Sequence, residues 1–179
     1  NIEEVSEKLT MAGLEVDSIV KCDFSPIDQN IVIGIIEDIK KHPNADKLQI
    51  CTVNTKNETL SIICGASNIK INDIVPVAKI GAQLPNGLKI KKSKIRDEYS
   101  YGMLCSLKEL GQPYEIEDGI LLLPDEFEIG QPLNQSTSLN DYILDMGITP
   151  NRGDCLSSFG IAREISATLN KSIKPMFDF

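Results

Sequence analysis

The sequence predicts an α+β chain in which a small closed β-barrel is inserted into a split α/β domain built from both chain ends. Three observations point there. Five or six short apolar runs, separated by turn residues about every dozen positions, fill the middle of the chain. Helical periodicity is confined to the two ends. Neither end can bury a core alone, because chains below about 40 residues rarely fold without staples, so the two ends must pack together. The boundaries that follow are 1–30 plus 140–179 for the split domain and 31–139 for the barrel.

Taken in order, Val5, Leu9 and Ala12 share one helical face and Gly13 suits the position just past the helix end. Leu14 to Ile19 then alternate as a strand, and residues 22–30, with Pro26, Asp28 and Asn30, read as a linker. Strands are expected near 31–40, 47–54, 59–64, 74–80, 88–96 and 119–123. The punctuation between them falls at His42-Pro43-Asn44, Lys56-Asn57, Gly65 to Asn68, Pro85-Asn86-Gly87 and Gly111 to Pro113. That rhythm suits a Greek-key barrel of the five-stranded OB-fold kind. Leu107 to Leu110 can form a short helical turn. A short strand at 142–146 precedes a loop and a helix of about fifteen residues from Cys155, capped by Asp154 and ended by Asn170 and Pro175.

Composition excludes several classes. With 41% hydrophobic residues the chain can bury a core, so disorder is not its default. A net charge of −8 argues against a protein whose whole surface coats nucleic acid or an anionic membrane. The balance is −5 over residues 1–30, 0 over 31–125 and −3 over 126–179, so any contact with a polyanion must be local to the middle. Aromatic residues make up only 5%, with no Trp, so a base-stacking surface would rest on very few side chains. The five cysteines, Cys22, Cys51, Cys64, Cys105 and Cys155, form no C-x-x-C pair and read as reduced, buried thiols. With His42 as the one histidine, zinc sites built on His pairs and His-based triads are poorly supplied. No run reaches the length of a membrane span. The chain opens at Asn1 inside a predicted helix, which reads as a piece of a longer protein.

The strongest chemical feature is Lys89, Lys91, Lys92, Lys94 and Arg96, five cations in eight residues. In an extended strand Lys89 and Lys91 face one side and Lys92, Lys94 and Arg96 the other. Each can pair with a phosphate, or the run can be an edge strand kept soluble by lysine. Ile63 to Asn68 ends a strand in small residues whose backbone N–H groups can receive phosphate, or is a plain strand-to-turn transition. Cys105 and Ser106 sit in a packed turn, with no base for a nucleophile. His42, ahead of Pro43, is expected in a surface turn. Arg152, in the loop Thr149 to Asp154, can hold a partner's carboxylate or a phosphate, or tie the two flanks together.

The segments His42 to Leu48, Ile63 to Ile69, Lys94-Ile95-Arg96 with Ser100, Gly102 to Ser106 and Glu109-Leu110-Gly111 closely resemble the tRNA-binding OB domain. The flanks, Glu7 to Val16 and Ile148 through Asp154 with Leu156-Ser157 and Gly160 to Glu164, look like those of the bacterial phenylalanyl-tRNA synthetase beta chain. The resemblance implies the amino-terminal region of a cytoplasmic, ATP- and Mg²⁺-dependent ligase that attaches phenylalanine to tRNA(Phe). It implies a heterotetramer of two alpha and two beta subunits, with synthesis in the alpha subunit and editing further along beta. No catalytic, cofactor or metal site is then expected in this stretch. The barrel is expected to make a weak, sequence-tolerant tRNA contact, with Lys89, Lys91, Lys92, Lys94 and Arg96 on phosphates and Asn68 as a minor polar contact. The alternatives are a docking module without tRNA contact and a free-standing tRNA-binding chaperone. One departure is visible: Asp97, followed by Glu98, stands where the family has glycine, which is expected to weaken the local positive potential and to alter the turn.

Overall fold

The computed structural model describes residues 1–112, 119–136 and 140–173. The chain divides into two compact units, Cys22–Asn140 and the paired ends Asn1–Lys21 with Asp141–Phe179. Residues 22–30 therefore belong with the barrel: Phe24 and Ile27 are buried in its core, so this stretch is a packed strap and not a linker.

In the split unit, α1 (Ile2–Met11) is followed by Gly13 at φ +86°, and β1 (Glu15–Cys22) shares a two-stranded sheet with the last strand, Asp141–Gly147. Leu9, Leu14 and Cys155 are its buried centre, with Val5, Val16, Leu144 and Ile165 around them. The carboxy-terminal helix is shorter than expected. It is α2 (Ser158–Leu169), twelve residues, and its cap is Ser157, whose Oγ accepts from Gly160 N–H at 3.1 Å. Asp154 is occupied elsewhere, accepting twice from Arg152 at 3.2 and 3.3 Å, and Pro150–Leu156 is wound as 3-10 turns broken at Arg152. Asn170 ends α2 in the left-handed region, as its small amide side chain allows. Pro175 and Pro113 lie outside the described residues.

The barrel sheet has the order β4-β3-β2-β5-β8, from β2 (Ile31–Lys41), β3 (Gln49–Asn54), β4 (Thr59–Cys64), β5 (Ile74–Lys79) and β8 (Gly102–Leu104). β2 serves two neighbours. Its first half pairs antiparallel with β5, its second half with β3, and an irregularity between Ile36 and Asp38 bends it from one to the other. Tyr101 N–H donates to Ser61 O at 2.9 Å and so brings the far edge, β4, against the segment leading into β8. This is the OB-type closure.

The near-continuous apolar runs of β2 and β5 have a physical reason: both faces are buried. Val32, Ile36, Val53, Ile62, Val77 and Leu104 point into the barrel. Ile31, Ile33, Ile74 and Ala78 point outward into a second core closed by Phe24, Ile27, Leu84, Leu110, Phe127 and Leu133. Pro76 lies opposite Ile33 inside the sheet, yet Ile33 spends its N–H on Gln131 O at 2.9 Å and its C=O on Gly130 N–H at 2.7 Å. The missing proline N–H thus costs no ladder bond there.

Two expected strands differ from what forms. Residues 119–123 make no regular strand; Leu121 N–H bonds Cys105 O and Leu123 N–H bonds Ile74 O singly, at 3.1 and 2.8 Å. The basic run 88–96 is not a barrel strand either. Lys89 makes an isolated antiparallel bridge to Gln83, and β6 (Ser93–Ile95) folds back on β7 (Glu98–Ser100) as a separate two-stranded hairpin. The barrel takes Gly102–Leu104 instead, and a Cβ at 102 would meet Ala78 O at 2.9 Å and Ile62 Cδ1 at 3.2 Å. Glycine lets the strands approach that closely.

Candidate nucleic-acid interface

The β6–β7 hairpin carries the cations. Its register sets Ser93 opposite Ser100, Lys94 opposite Tyr99 and Ile95 opposite Glu98. Alternation then places Lys92, Lys94, Tyr99 and Tyr101 on one exposed face. The other face is tied to the barrel: Ser100 is buried, its Oγ accepts from Ile63 N–H at 3.0 Å, and its hydroxyl donates to Gly102 O at 2.9 Å. The connecting residues, Arg96 at φ +48° and Asp97 at φ +76°, are both left-handed, the geometry of a tight hairpin turn that elsewhere selects Asn-Gly or Asp-Gly. The turn survives without glycine because aspartate tolerates this region better than most residues.

His42 is not a surface residue. It is 5% exposed, its Nε2–H donates to Ile95 O at 3.1 Å, and its Nδ1 accepts from Asn44 N–H at 3.1 Å. Asn44 Nδ2 donates to Arg96 O at 3.3 Å. The turn after β2 is therefore a clamp on the β6 end of the hairpin, which sequence reading missed because a clamp partner 53 residues away leaves no local pattern.

The cations are not equivalent. Lys94 Nζ pairs with Asp97 at 3.0 Å. Lys92 Nζ lies over two rings, 4.3 Å from the Tyr99 centroid and 4.8 Å from that of Tyr101. Lys89, Lys91 and Arg96 are exposed and make no ion pair with the described residues. Lys89 and Lys91 flank a groove of about 370 Å³ floored by Ile63, Ile90 and Met103. Five cations against two acids thus leave the hairpin and its approach positive within an acidic chain.

Asn68 stands apart. Its Nδ2 donates to Ile120 O at 2.9 Å and its Oδ1 accepts from Ile120 N–H at 3.0 Å, so both ends of the amide mimic a strand partner. The Gly65–Ser67 and Gly102–Ser106 motifs do meet, lining a groove of about 490 Å³. The Glu109 carboxylate lines that groove too and opposes an anion there. It accepts from Ser106 N–H at 2.7 Å and from the Ser106 hydroxyl at 3.0 Å, while Glu109 N–H returns to Ser106 Oγ at 3.3 Å. That is a capping box on the turn at Leu107–Leu110. Cys105 beside it is fully buried, and burial, with the Glu109 charge, pushes its thiol up to about 12. Neither side chain is an activated nucleophile.

In the split unit, Arg152 ties the two ends. It donates to Ala12 O at 3.4 Å and pairs with Asp154 at 3.2 Å and Glu164 at 2.8 Å. Asp154, Cys155 and Glu164 bring three donor atoms within 4.8 Å of one another, but the guanidinium lies among them, 3.0 Å from Cys155 Sγ. The site already holds its cation, and Arg152 holds the Asp154 carboxyl below its usual range.

The five-stranded barrel with its strand order defines an OB-type domain. Residues 31–132 match the family model described as "Putative tRNA binding domain", and the chain belongs to that family. It is also 51% identical to the phenylalanine–tRNA ligase beta subunit of Syntrophus aciditrophicus (strain SB), over 96% of this chain and 21% of that protein. With the same subunit of Fusobacterium nucleatum subsp. nucleatum it shares 52% identity over 99% of this chain and 22% of that one. The chain thus spans about a fifth of the length of the curated relatives it matches. Among solved structures, a MetRS related protein from Pyrococcus horikoshii is similar over 57% of this chain and 86% of that one, with 20% identity and a TM-score of 0.42. No helix among the described residues is long and apolar enough to cross a membrane.

Proposed function

We propose that this chain is the tRNA-contacting barrel and scaffold portion of a cytoplasmic phenylalanine–tRNA ligase beta subunit. The longer protein attaches phenylalanine to tRNA(Phe) together with an alpha subunit, in a heterotetramer of two alpha and two beta chains. ATP and Mg²⁺ belong to other parts of that assembly. The one three-donor cluster among the described residues offers a thiol and encloses Arg152, a poor fit to a hard cation that prefers oxygen and water.

The observation that carries the reading is the exposed basic hairpin on a barrel of the tRNA-binding family. Lys89, Lys91, Lys92, Lys94 and Arg96 contact phosphates, a mode that reads backbone and not sequence. Asn68 has its amide engaged within the chain, so its part is to hold the 119–120 segment in place. The test is labelled tRNA across a salt series, against a variant with Lys91, Lys92, Lys94 and Arg96 changed to Ala. Three phosphate contacts give a log–log slope of about −2 to −3, a loss of roughly 20- to 40-fold between 50 and 200 mM salt. The variant flattens that slope; absence of binding by the parent chain at low salt overturns the reading.

A second reading, the scaffold role by itself, is favoured by the large apolar side chains left exposed in the split unit, of which Met11 at 82%, Leu156 at 77% and Phe159 at 49% are the most exposed among the described residues. Their occupant is the remainder of the longer subunit. Leu156→Ser and Phe159→Ser then weaken assembly of the full ligase and leave tRNA binding by this chain unchanged; unaltered assembly refutes this reading.

A further inference from the structure

We propose that Tyr99 and Tyr101 form a stacking site for unpaired nucleobases, held by the Lys92 ammonium until RNA displaces it. The inference rests on reading the hairpin as an RNA contact and adds a class of ligand: single-stranded nucleic acid, taken by its bases as well as its phosphates. A continuous duplex is excluded as the occupant of the rings, because its bases already stack on one another.

The geometry is specific. Tyr99 and Tyr101 are two apart in an extended segment and so project from the same face. Ser100 between them is buried and bonded to both Ile63 and Gly102, and Tyr101 N–H is bonded to Ser61 O. The backbone beneath the rings is therefore fixed to the barrel, while the rings themselves remain 47% and 36% exposed. Lys92 Nζ sits 4.3 and 4.8 Å from the two centroids, over ring faces that a flat base would cover. Lys94, opposite Tyr99, and Arg96 at the turn stand beside them as phosphate partners.

Magnitudes decide which occupant wins. An exposed cation–π contact is worth about 2- to 5-fold in an equilibrium. Stacking of one base on an aromatic side chain is worth about 5- to 150-fold. A base therefore displaces the ammonium, and the released Lys92 gains a phosphate in exchange for the rings. The platform is small, two rings, so it serves one or two nucleotides of any sequence.

The test titrates the 179-residue chain with a short oligouridylate, whose bases do not stack on each other, and with an abasic ribose-phosphate oligomer of equal length. With no Trp, emission comes from four Tyr, and the signal of Tyr99 and Tyr101 is read as the difference between the parent chain and the Tyr99→Ala, Tyr101→Ala variant, which keeps Tyr114 and Tyr142. The expected result is at least ~10-fold tighter binding of oligouridylate than of the abasic oligomer, with quenched emission. Tyr99→Ala with Tyr101→Ala abolishes the difference between the two oligomers, while a salt-dependent phosphate affinity remains, with Lys92 free to contribute to it. Tyr99→Phe with Tyr101→Phe keeps the preference, since phenylalanine also stacks. Equal binding of the two oligomers by the parent chain, with a normal salt slope, overturns the stacking site and leaves the phosphate reading standing. Loss of preference in the Phe variant also overturns it. Binding of neither oligomer overturns both readings.

Discussion

Changing His42 to Ala tests whether the hairpin is clamped from beneath. Two hydrogen bonds are lost, Nε2–H to Ile95 O and Asn44 N–H to Nδ1, both at 3.1 Å. Each neutral bond contributes about 0.5–1.5 kcal/mol net, and a partner left buried without replacement costs more. The side chain is 5% exposed, so its removal also leaves a void. Together these predict a loss of about 2–4 kcal/mol. For a unit the size of the barrel that lowers the melting temperature by about 10 °C. The effect is local as well as global: amides of Ser93–Ser100 exchange faster relative to β2 and β3, and tRNA affinity falls because the cations lose their platform. Thermal unfolding with hydrogen exchange measures the first two. His42→Gln restores a donor near Nε2 and recovers part of the loss, while His42→Asn restores an acceptor near Nδ1. Because His42 is the one histidine, its imidazole nitrogen resonances read the Nε2–H tautomer without assignment. Equal hairpin exchange rates in parent and Ala variant, or the opposite tautomer, refute the clamp.

Other expectations are as specific. Asp97→Gly and Asp97→Asn both free Lys94 and remove a negative charge about 7 Å from an incoming phosphate, which in water is worth ~0.6 kcal/mol, or 2- to 3-fold tighter tRNA binding; equal affinity in all three proteins refutes the electrostatic account. Asp28 accepts from Asn30 N–H at 2.8 Å and Gln83 N–H at 2.9 Å, and these bonds, led by Asn30, hold its carboxyl below the ordinary 3.8. Its contribution to stability is therefore present above pH ~4 and lost as pH falls through the depressed value. Asp28→Asn flattens the stability–pH curve below pH 4, and an unchanged acid limb in urea titrations counts against it. Arg152→Ala lowers the melting of the helical signal by several degrees, and Lys does not rescue it, since one ammonium cannot reach Ala12 O, Asp154 and Glu164 at once. Full rescue by Lys sinks that reading.

The strands β2 to β5 were legible because unbroken apolar runs such as Ile31 to Ile36 and Ile74 to Ala78 have few other uses in a chain of this size. The hairpin was not, because five charges in 89–96 hide a three-residue strand and the turn lacks the glycine that marks such turns. Asp154 looked like a cap, but Arg152, two residues away, takes its carboxylate and leaves Ser157 to start the helix. Of the candidate site, the cations were visible in sequence. Their aromatic companions were not, although Tyr99-Ser100-Tyr101 directly after the charged turn carries the two-residue spacing that puts both rings on one face. His42 could be read only from the fold, since Ile95 is remote in sequence.

Phe24 N–H donates to Asn140 Oδ1 at 3.0 Å, so the barrel's point of entry and point of exit touch. This has a kinetic meaning. Pairing β1 with β9 (Asp141–Gly147) in an otherwise unfolded chain requires closing a loop of roughly 120 residues, at about 4 kcal/mol in entropy, whereas a folded barrel shortens that loop to a few residues and about 1 kcal/mol. The barrel is thus expected to fold first and act as a staple for the ends. The same adjacency gives the barrel the form of a cassette: a few-residue linker from Cys22 to Asp141 spans the gap and leaves all residues of β1 and β9 in the chain.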